Sequence, residues 1–183
     1  LCNMPAHHVS QRFQCQSYSN TCVTACAAGT QALGEAAEVI RRGAADLMLA
    51  GGTEGMVHEV VVGAFTVMRV LAGDNEHPEK ACKPFDARRD GFVTAEGTAI
   101  MVLERLDKAL DRGARIYAEF AGFGMGADAH HITAPPENGQ GAYRCMQNAL
   151  ADAGLTAVGG FFPIVLHLAD QDPLPAIERE LEA

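Results

Sequence analysis

Val23-Thr24-Ala25-Cys26-Ala27-Ala28-Gly29 joins a short β-branched run to a helix-like segment, and a thiol stands at the join. Cys22-Val23-Thr24 has strand character, and the helical pattern runs from Thr30 to Arg42. At such a junction the first unpaired amides of the helix point outward. Together with the helix dipole they favour a thiolate over a thiol. Ala25, Ala27, Ala28 and Gly29 permit a tight turn and leave room for a substrate beside the sulfur. The nucleophile turn of α/β-hydrolases uses the same physics with serine. An inert, buried cysteine fits these local residues equally well.

Working outward, residues 3–14 carry Val9 and Phe13 four apart with Pro5 close to the start, the pattern of a short helix. In the segment after Cys26, Leu33, Ala36, Ala37 and Ile40 share a face and Gly43 supplies the stop. Asp46 to Gly52 is a compact apolar run ending in glycines, which predicts a buried strand. A helix leading into such a strand suggests a crossover on a parallel sheet. Residues 56–71 are expected to be loosely helical, and residues 73–83 a surface loop. Pro84 to Phe92 mixes charges with Phe85 and Phe92; a solvated charge run is the simplest account, and the aromatics hint at pairing. A strand over Thr98–Leu103, a helix over Glu104–Arg112, a strand over Tyr117–Met125 and a helix over Gly139–Ala153 follow. Phe161 to Leu166 is again strand-like, and Ile177 to Ala183 helix-like. The run Gly122-Phe123-Gly124-Met125-Gly126 superficially resembles a dinucleotide motif, but no helix opens after it, so a nucleotide site is rejected.

The 183 residues suffice for one sizeable core or parts of two domains, and 48% hydrophobic with 20% charged residues argues against disorder. A net charge of −9 disfavours nucleic acid or an anionic membrane as the main partner. No apolar run approaches a membrane span and no secretory leader is evident, so a cytoplasmic location is expected. Leu1 is not an initiator methionine, and the chain reads as an internal piece of something longer. The six cysteines form no paired framework and are expected to be reduced. Cys2, His7, His8, Cys15 and Cys22 lack the close pairs of a structural zinc site, so no metal is expected, nor any cofactor.

Three blocks in order carry a family resemblance: VTACAAGTQALGEAAEVIRRGAADLMLAGGTE (Val23–Glu54), PFDARRDGFVTAEGTAIMVLE (Pro84–Glu104) and IYAEFAGFGMGADAHHITAPPENGQGA (Ile116–Ala142). They resemble the condensing enzymes, specifically the elongating β-ketoacyl-acyl-carrier-protein synthases of fatty acid synthesis. The resemblance implies an α/β, thiolase-like fold of α-β-α-β-α layers, here incomplete. Residues 1–115 would be the C-terminal part of the first half, and residues 116–183 the beginning of the second, with a tail diverged from about residue 160. It also implies that Cys26 accepts an acyl group from acyl carrier protein, that the Cys26 amide forms part of an oxyanion hole, and that malonyl-acyl-carrier-protein then condenses with loss of carbon dioxide. A homodimer is implied for the complete protein. Asp128 to Pro135, with His131 and Thr133, resembles the loop that gates acyl entry. Neither His130 nor His131 is assigned to chemistry. Arg89 to Phe92 resembles a segment near the entrance, and Phe65 one near the acyl pocket or dimer interface.

The family carries Asn-Ala-His-Gly-Thr-Ser-Thr-Pro where this chain has Leu166-His167-Leu168-Ala169-Asp170-Gln171-Asp172-Pro173. His167 falls at nearly the expected distance and Glu178 at that of an acidic residue. Either His167 is the catalytic histidine in a diverged setting or the tail is unrelated sequence. The second histidine, its lysine companion and the gating phenylalanine have no counterpart. Two other readings stand beside this one: a non-catalytic fragment or interaction subunit of the same fold, and a thiolase relative using coenzyme A esters. Retention of Cys26 disfavours the interaction-subunit version of the first, and the second and third blocks disfavour the second.

Overall fold

The structure is a computed structural model that describes residues 1–131 and 134–156. The chain divides into two compact units, one formed by residues 1–50 with residues from 101 onward, the other by residues 51–100.

The first unit opens with α1 (Met4–Phe13), which has Pro5 in its first turn and ends at Gln14 in the left-handed conformation. No residue of α1 is buried. A 3₁₀ turn over Ala25–Ala27 leads directly into α2 (Ala28–Arg41). Among the described residues, residues 21–24 enter this turn without joining any ladder, so no partner strand is seen for the predicted strand at Cys22–Thr24. α2 buries Gly34, Ala36, Ala37 and Val39, while Leu33 and Ile40 are only half-buried. Ala36 and Ala37 are thus buried as expected, while Gly34 and Val39 take the places of Leu33 and Ile40. Gly34 faces the Phe123 ring, and a Cβ there would collide with it.

The glycine-rich run is explained by the same closeness. A Cβ on Gly122 would lie 2.6 Å from the Ala149 carbonyl oxygen, one on Gly126 would lie 2.9 Å from Cys145 Sγ, and one on Gly124 would meet the Cys145 carbonyl. These neighbours belong to α5 (Gln140–Asp152) and the residue after it. Cys145, Ala149 and Ala153 are four apart and form one stripe. The alternate residues of the run are held by the next stripe of α5. Asp152 Oδ2 accepts the Phe123 N–H at 2.8 Å, Asn148 Nδ2 donates to the Met125 carbonyl at 3.0 Å, and Arg144 donates to the Ala127 carbonyl at 3.3 Å. In the segment expected as a strand over Tyr117–Met125, the Phe123 N–H and the Met125 carbonyl are thus bound by helix side chains; among the described residues the segment joins no ladder. Arg41 locks α2 to this assembly, donating to Asp152 at 2.8 Å, to the Ala121 carbonyl at 3.0 Å and to Glu38 at 2.7 Å.

β1 (Leu47–Glu54) and β2 (Gly97–Glu104) pair as a two-stranded sheet whose ends lie in different units. The Arg105 N–H donates to the Asp46 carbonyl at 3.0 Å, and the Thr53 and Thr98 hydroxyls meet at 2.6 Å. Residue numbers rise along one strand as they fall along the other, so the ladder is antiparallel. This departs from the parallel crossover expected between α2 and β1: the described pairing of β1 is with β2. A parallel contact occurs as the isolated bridge of Leu71 with Phe92. α4 (Leu106–Asp111) follows β2, with Ala109 buried.

In the second unit, α3 (Glu59–Val67) is capped by His58 Nδ1, which accepts the Val60 N–H at 3.3 Å. Phe65 of α3 meets Phe92 edge-on, with ring centroids 5.2 Å apart. The charged stretch before Phe92 is paired yet exposed. Arg88 donates to Asp86 at 2.8 Å, and Asp90 accepts the Gly73 N–H at 3.0 Å. Phe85 is fully exposed, so only one of the two aromatics is packed.

Candidate active site

Cys26 sits in the middle of the 3₁₀ turn, with its side chain exposed. The residue before it, Ala25, has φ +49°, a left-handed conformation that costs a residue with a Cβ about 1 kcal/mol. This bend swings the chain from the incoming segment into the helix axis and leaves the thiol on the outside, as a nucleophile turn requires. The Ala27 N–H closes onto the Thr24 carbonyl at 3.1 Å and the Ala28 N–H onto the Ala25 carbonyl. Among the described residues the Cys26 N–H has no hydrogen-bond acceptor. No side chain caps α2 either, so the helix start is not occupied by a carboxylate or hydroxyl. The arrangement therefore offers an accessible sulfur, an unengaged amide on the same residue and the positive end of a 14-residue helix.

A polar network stands beside the turn. Glu35 accepts from Gln31 Nε2 at 2.7 Å and from Asn20 Nδ2 at 2.9 Å, and Gln31 Oε1 accepts from Thr24 Oγ1 at 2.9 Å. The Gln31 amide, first, and the Asn20 amide hold the Glu35 carboxyl below its ordinary value. Partial burial, and then the nearby Glu35 carboxylate, push the Cys22 thiol up. The spacing of Gln31 and Glu35 is readable in the sequence as a helical i, i+4 pair. Nothing in the sequence ties Asn20 or Thr24 to it.

His131 accepts the Ala134 N–H through Nδ1 at 3.1 Å. His167, Thr133 and Glu178 lie outside the described residues, as do the predicted elements at Phe161–Leu166 and Ile177–Ala183. Among the described residues no group of three His, Cys, Asp or Glu side chains stands close enough to hold a metal ion. Among them, too, no helix is long and apolar enough to cross a membrane.

An unpaired, exposed cysteine thus stands on a left-handed turn opening a helix, inside a mixed α/β framework. Residues 1–109 match the family model of the beta-ketoacyl synthase N-terminal domain and residues 117–159 that of the C-terminal domain. The chain belongs to the beta-ketoacyl synthase family. It is 47% identical to 3-oxoacyl-[acyl-carrier-protein] synthase 2 of Rhizobium meliloti, over 98% of this chain and 44% of that protein. It is also 47% identical to a putative mitochondrial 3-oxoacyl-[acyl-carrier-protein] synthase of Schizosaccharomyces pombe, over 86% of this chain and 37% of the relative. Among solved structures it superposes on a chain from a complex of a type II polyketide acyl carrier protein with its ketosynthase bound to the hexaketide. The TM-score is 0.79 at 40% identity, over 82% of this chain and 37% of that one. The fold is thus a part of the thiolase-like ketosynthase fold, and the chain spans less than half the length of these relatives.

Proposed function

We propose that the protein from which this chain comes is a β-ketoacyl-acyl-carrier-protein synthase of fatty acid elongation, with Cys26 as its nucleophile. The observation that carries the reading is the exposed Cys26 thiol on the left-handed Ala25 turn at the start of α2, with its own N–H unengaged among the described residues. The Cys26 thiolate attacks the carbonyl carbon of an acyl-carrier-protein thioester. A new C–S bond forms and the carrier's phosphopantetheine leaves as a thiol after taking up a proton. The Cys26 N–H donates to the oxygen that gains charge at the tetrahedral stage. Malonyl-acyl-carrier-protein then loses carbon dioxide, and the electron pair left on its α-carbon attacks the acyl-cysteine carbonyl. Cys26 is expelled as thiolate, and the product stays on the carrier, two carbons longer.

On one of the two readings of the tail His167 polarises the malonyl carbonyl; on the other the tail is unrelated sequence and that histidine is not in this chain. The boundary between the two thiolase-like halves is placed near Arg115, in keeping with the interval between the two matched domains. A cytoplasmic location and a homodimer are proposed for the complete protein on the same resemblance. The reading is tested by mixing the chain with an acyl-carrier-protein thioester and titrating released thiol. One equivalent per chain is expected, and none from Cys26→Ala. Undiminished release from Cys26→Ala contradicts the assignment.

A further inference from the structure

The network at the foot of α2 does not touch the sulfur, yet it joins the segment that enters the Cys26 turn to the helix that leaves it. We propose that Glu35 is the positioning residue of the Cys26 turn, acting through Asn20 on one side and through Gln31 and Thr24 on the other. The inference rests on the reading of Cys26 as the acyl acceptor and names what sets the geometry of that site.

Glu35 Oε2 accepts Asn20 Nδ2 at 2.9 Å, and Asn20 Oδ1 in turn accepts the Thr21 N–H at 2.8 Å. Glu35 Oε1 accepts Gln31 Nε2 at 2.7 Å, and Gln31 Oε1 accepts Thr24 Oγ1 at 2.9 Å. Asn20 and Thr24 bracket the incoming segment, and both tie back, directly or through Gln31, to Glu35. Among the described residues the segment joins no ladder, and these side-chain ties are what pins it there. The segment ends at Ala25, whose left-handed φ of +49° is strained. Such a conformation persists only where its surroundings over-determine it. The Glu35 ties supply that constraint: they fix the chain up to Thr24, and α2 fixes it from Ala28. Released, Ala25 relaxes to a right-handed or extended conformation, and the Cys26 sulfur leaves its position at the helix start.

A surface network of this size contributes little to stability on its own, so the test reads the sulfur rather than the fold. The 183-residue chain is treated with limiting iodoacetamide at pH 7, and alkylation of Cys26 is measured by peptide mass mapping. Exposed Cys82, which lies in the other unit, is the internal reference. Glu35→Ala is expected to lower the Cys26 to Cys82 ratio roughly two- to fivefold, the size of one helix-terminus interaction. Glu35→Gln keeps its oxygen as acceptor for Asn20 and turns an NH2 towards Gln31. A flip of the Gln31 amide then lets its Oε1 accept from residue 35 and its Nε2 donate to Thr24 Oγ1, so the chain of links survives and the ratio is expected to equal or exceed the wild-type value. An unchanged ratio in Glu35→Ala overturns the proposal, and so does an equal fall in Glu35→Gln. Where Glu35→Ala loses its helical circular dichroism, Thr24→Val decides. This near-isosteric change removes only the link from the turn to Gln31; a lowered ratio supports the proposal and an unchanged one overturns it. Acyl transfer from carrier protein is scored separately on the wild-type chain. Its failure alongside the expected alkylation pattern counts against the acyl-acceptor reading and leaves the positioning of Cys26 standing.

Discussion

Gly34 of α2 and Phe123 pack so closely that a single methyl group on Gly34 would fall against the Phe123 ring. Gly34 is buried, and its helix cannot retreat without dragging Ala36, Ala37 and Val39 from their contacts. Gly34→Ala raises helix propensity, but the overpacking is expected to outweigh it and to cost about 1–3 kcal/mol net. Urea denaturation measures the loss. Combining it with Phe123→Leu is expected to recover part of the loss, as a coupling above about 0.5 kcal/mol in a double-mutant cycle. Simple additivity would mean that the ring and the glycine do not meet.

Arg41 draws three acceptors together at the end of α2: Glu38, Asp152 and the Ala121 carbonyl. Arg41→Ala is expected to destabilise the first unit by about 1–2 kcal/mol, mostly by leaving the Ala121 carbonyl and Asp152 without their charged donor. The Arg41 guanidinium, and next the Phe123 N–H, hold the Asp152 carboxyl below its ordinary value. A lowered folded-state pKa gives stability that is present above the unfolded value and lost as pH falls through the folded one. The difference in stability between wild type and Arg41→Ala is therefore expected to shrink on acidification below the usual carboxylate range. A difference that grew in acid would contradict the pairing.

Asp86 offers a sharper titration. The Arg88 guanidinium, then the Arg88 N–H, bring its carboxyl down to about 2. Carbon-detected NMR of the carboxyl resonance is expected to show a midpoint near that value, returning to the ordinary range in Arg88→Ala. Its contribution to folding is present above the unfolded-state pKa and fades as pH drops towards 2. An ordinary midpoint in the wild-type chain would rule the pair out.

The helices and both strands were legible in the sequence because each follows a strong periodic or apolar pattern, as at α2, β1 and β2. What was not legible depends on partners distant in the chain. Gly122, Gly124 and Gly126 look like a strand until Cys145, Ala149 and Ala153 are seen to occupy the space a side chain would need. The Cys22–Thr24 segment looks like a strand because β-branched residues suit extended backbone, but among the described residues it joins no ladder and Thr24 donates to Gln31 of α2. At the site, Cys26 and its small neighbours were readable as a turn. The left-handed strain at Ala25 was not, because alanine carries no signature of positive φ.

Large apolar side chains are exposed in both units: Val60 is 73% and Val67 84% exposed in one, Val23 70% and Val102 59% in the other. Surfaces of this kind bind hydrophobic dyes and self-associate. The chain on its own is expected to enhance ANS fluorescence and to sediment as a concentration-dependent mixture. It is also expected to give no condensed product with malonyl-acyl-carrier-protein. Turnover by the isolated chain would refute that expectation.

Everything proposed for the function passes through one sulfur, so the location of a transferred acyl group is the decisive measurement. The chain is incubated with an acyl-carrier-protein thioester, digested at low pH to preserve thioesters, and mapped by mass spectrometry. The account predicts acylation of the peptide carrying Cys26 and its absence in Cys26→Ala, while Cys2, Cys15, Cys22, Cys82 and Cys145 stay free. An acyl group on another residue, with Cys26 unmodified, would contradict it.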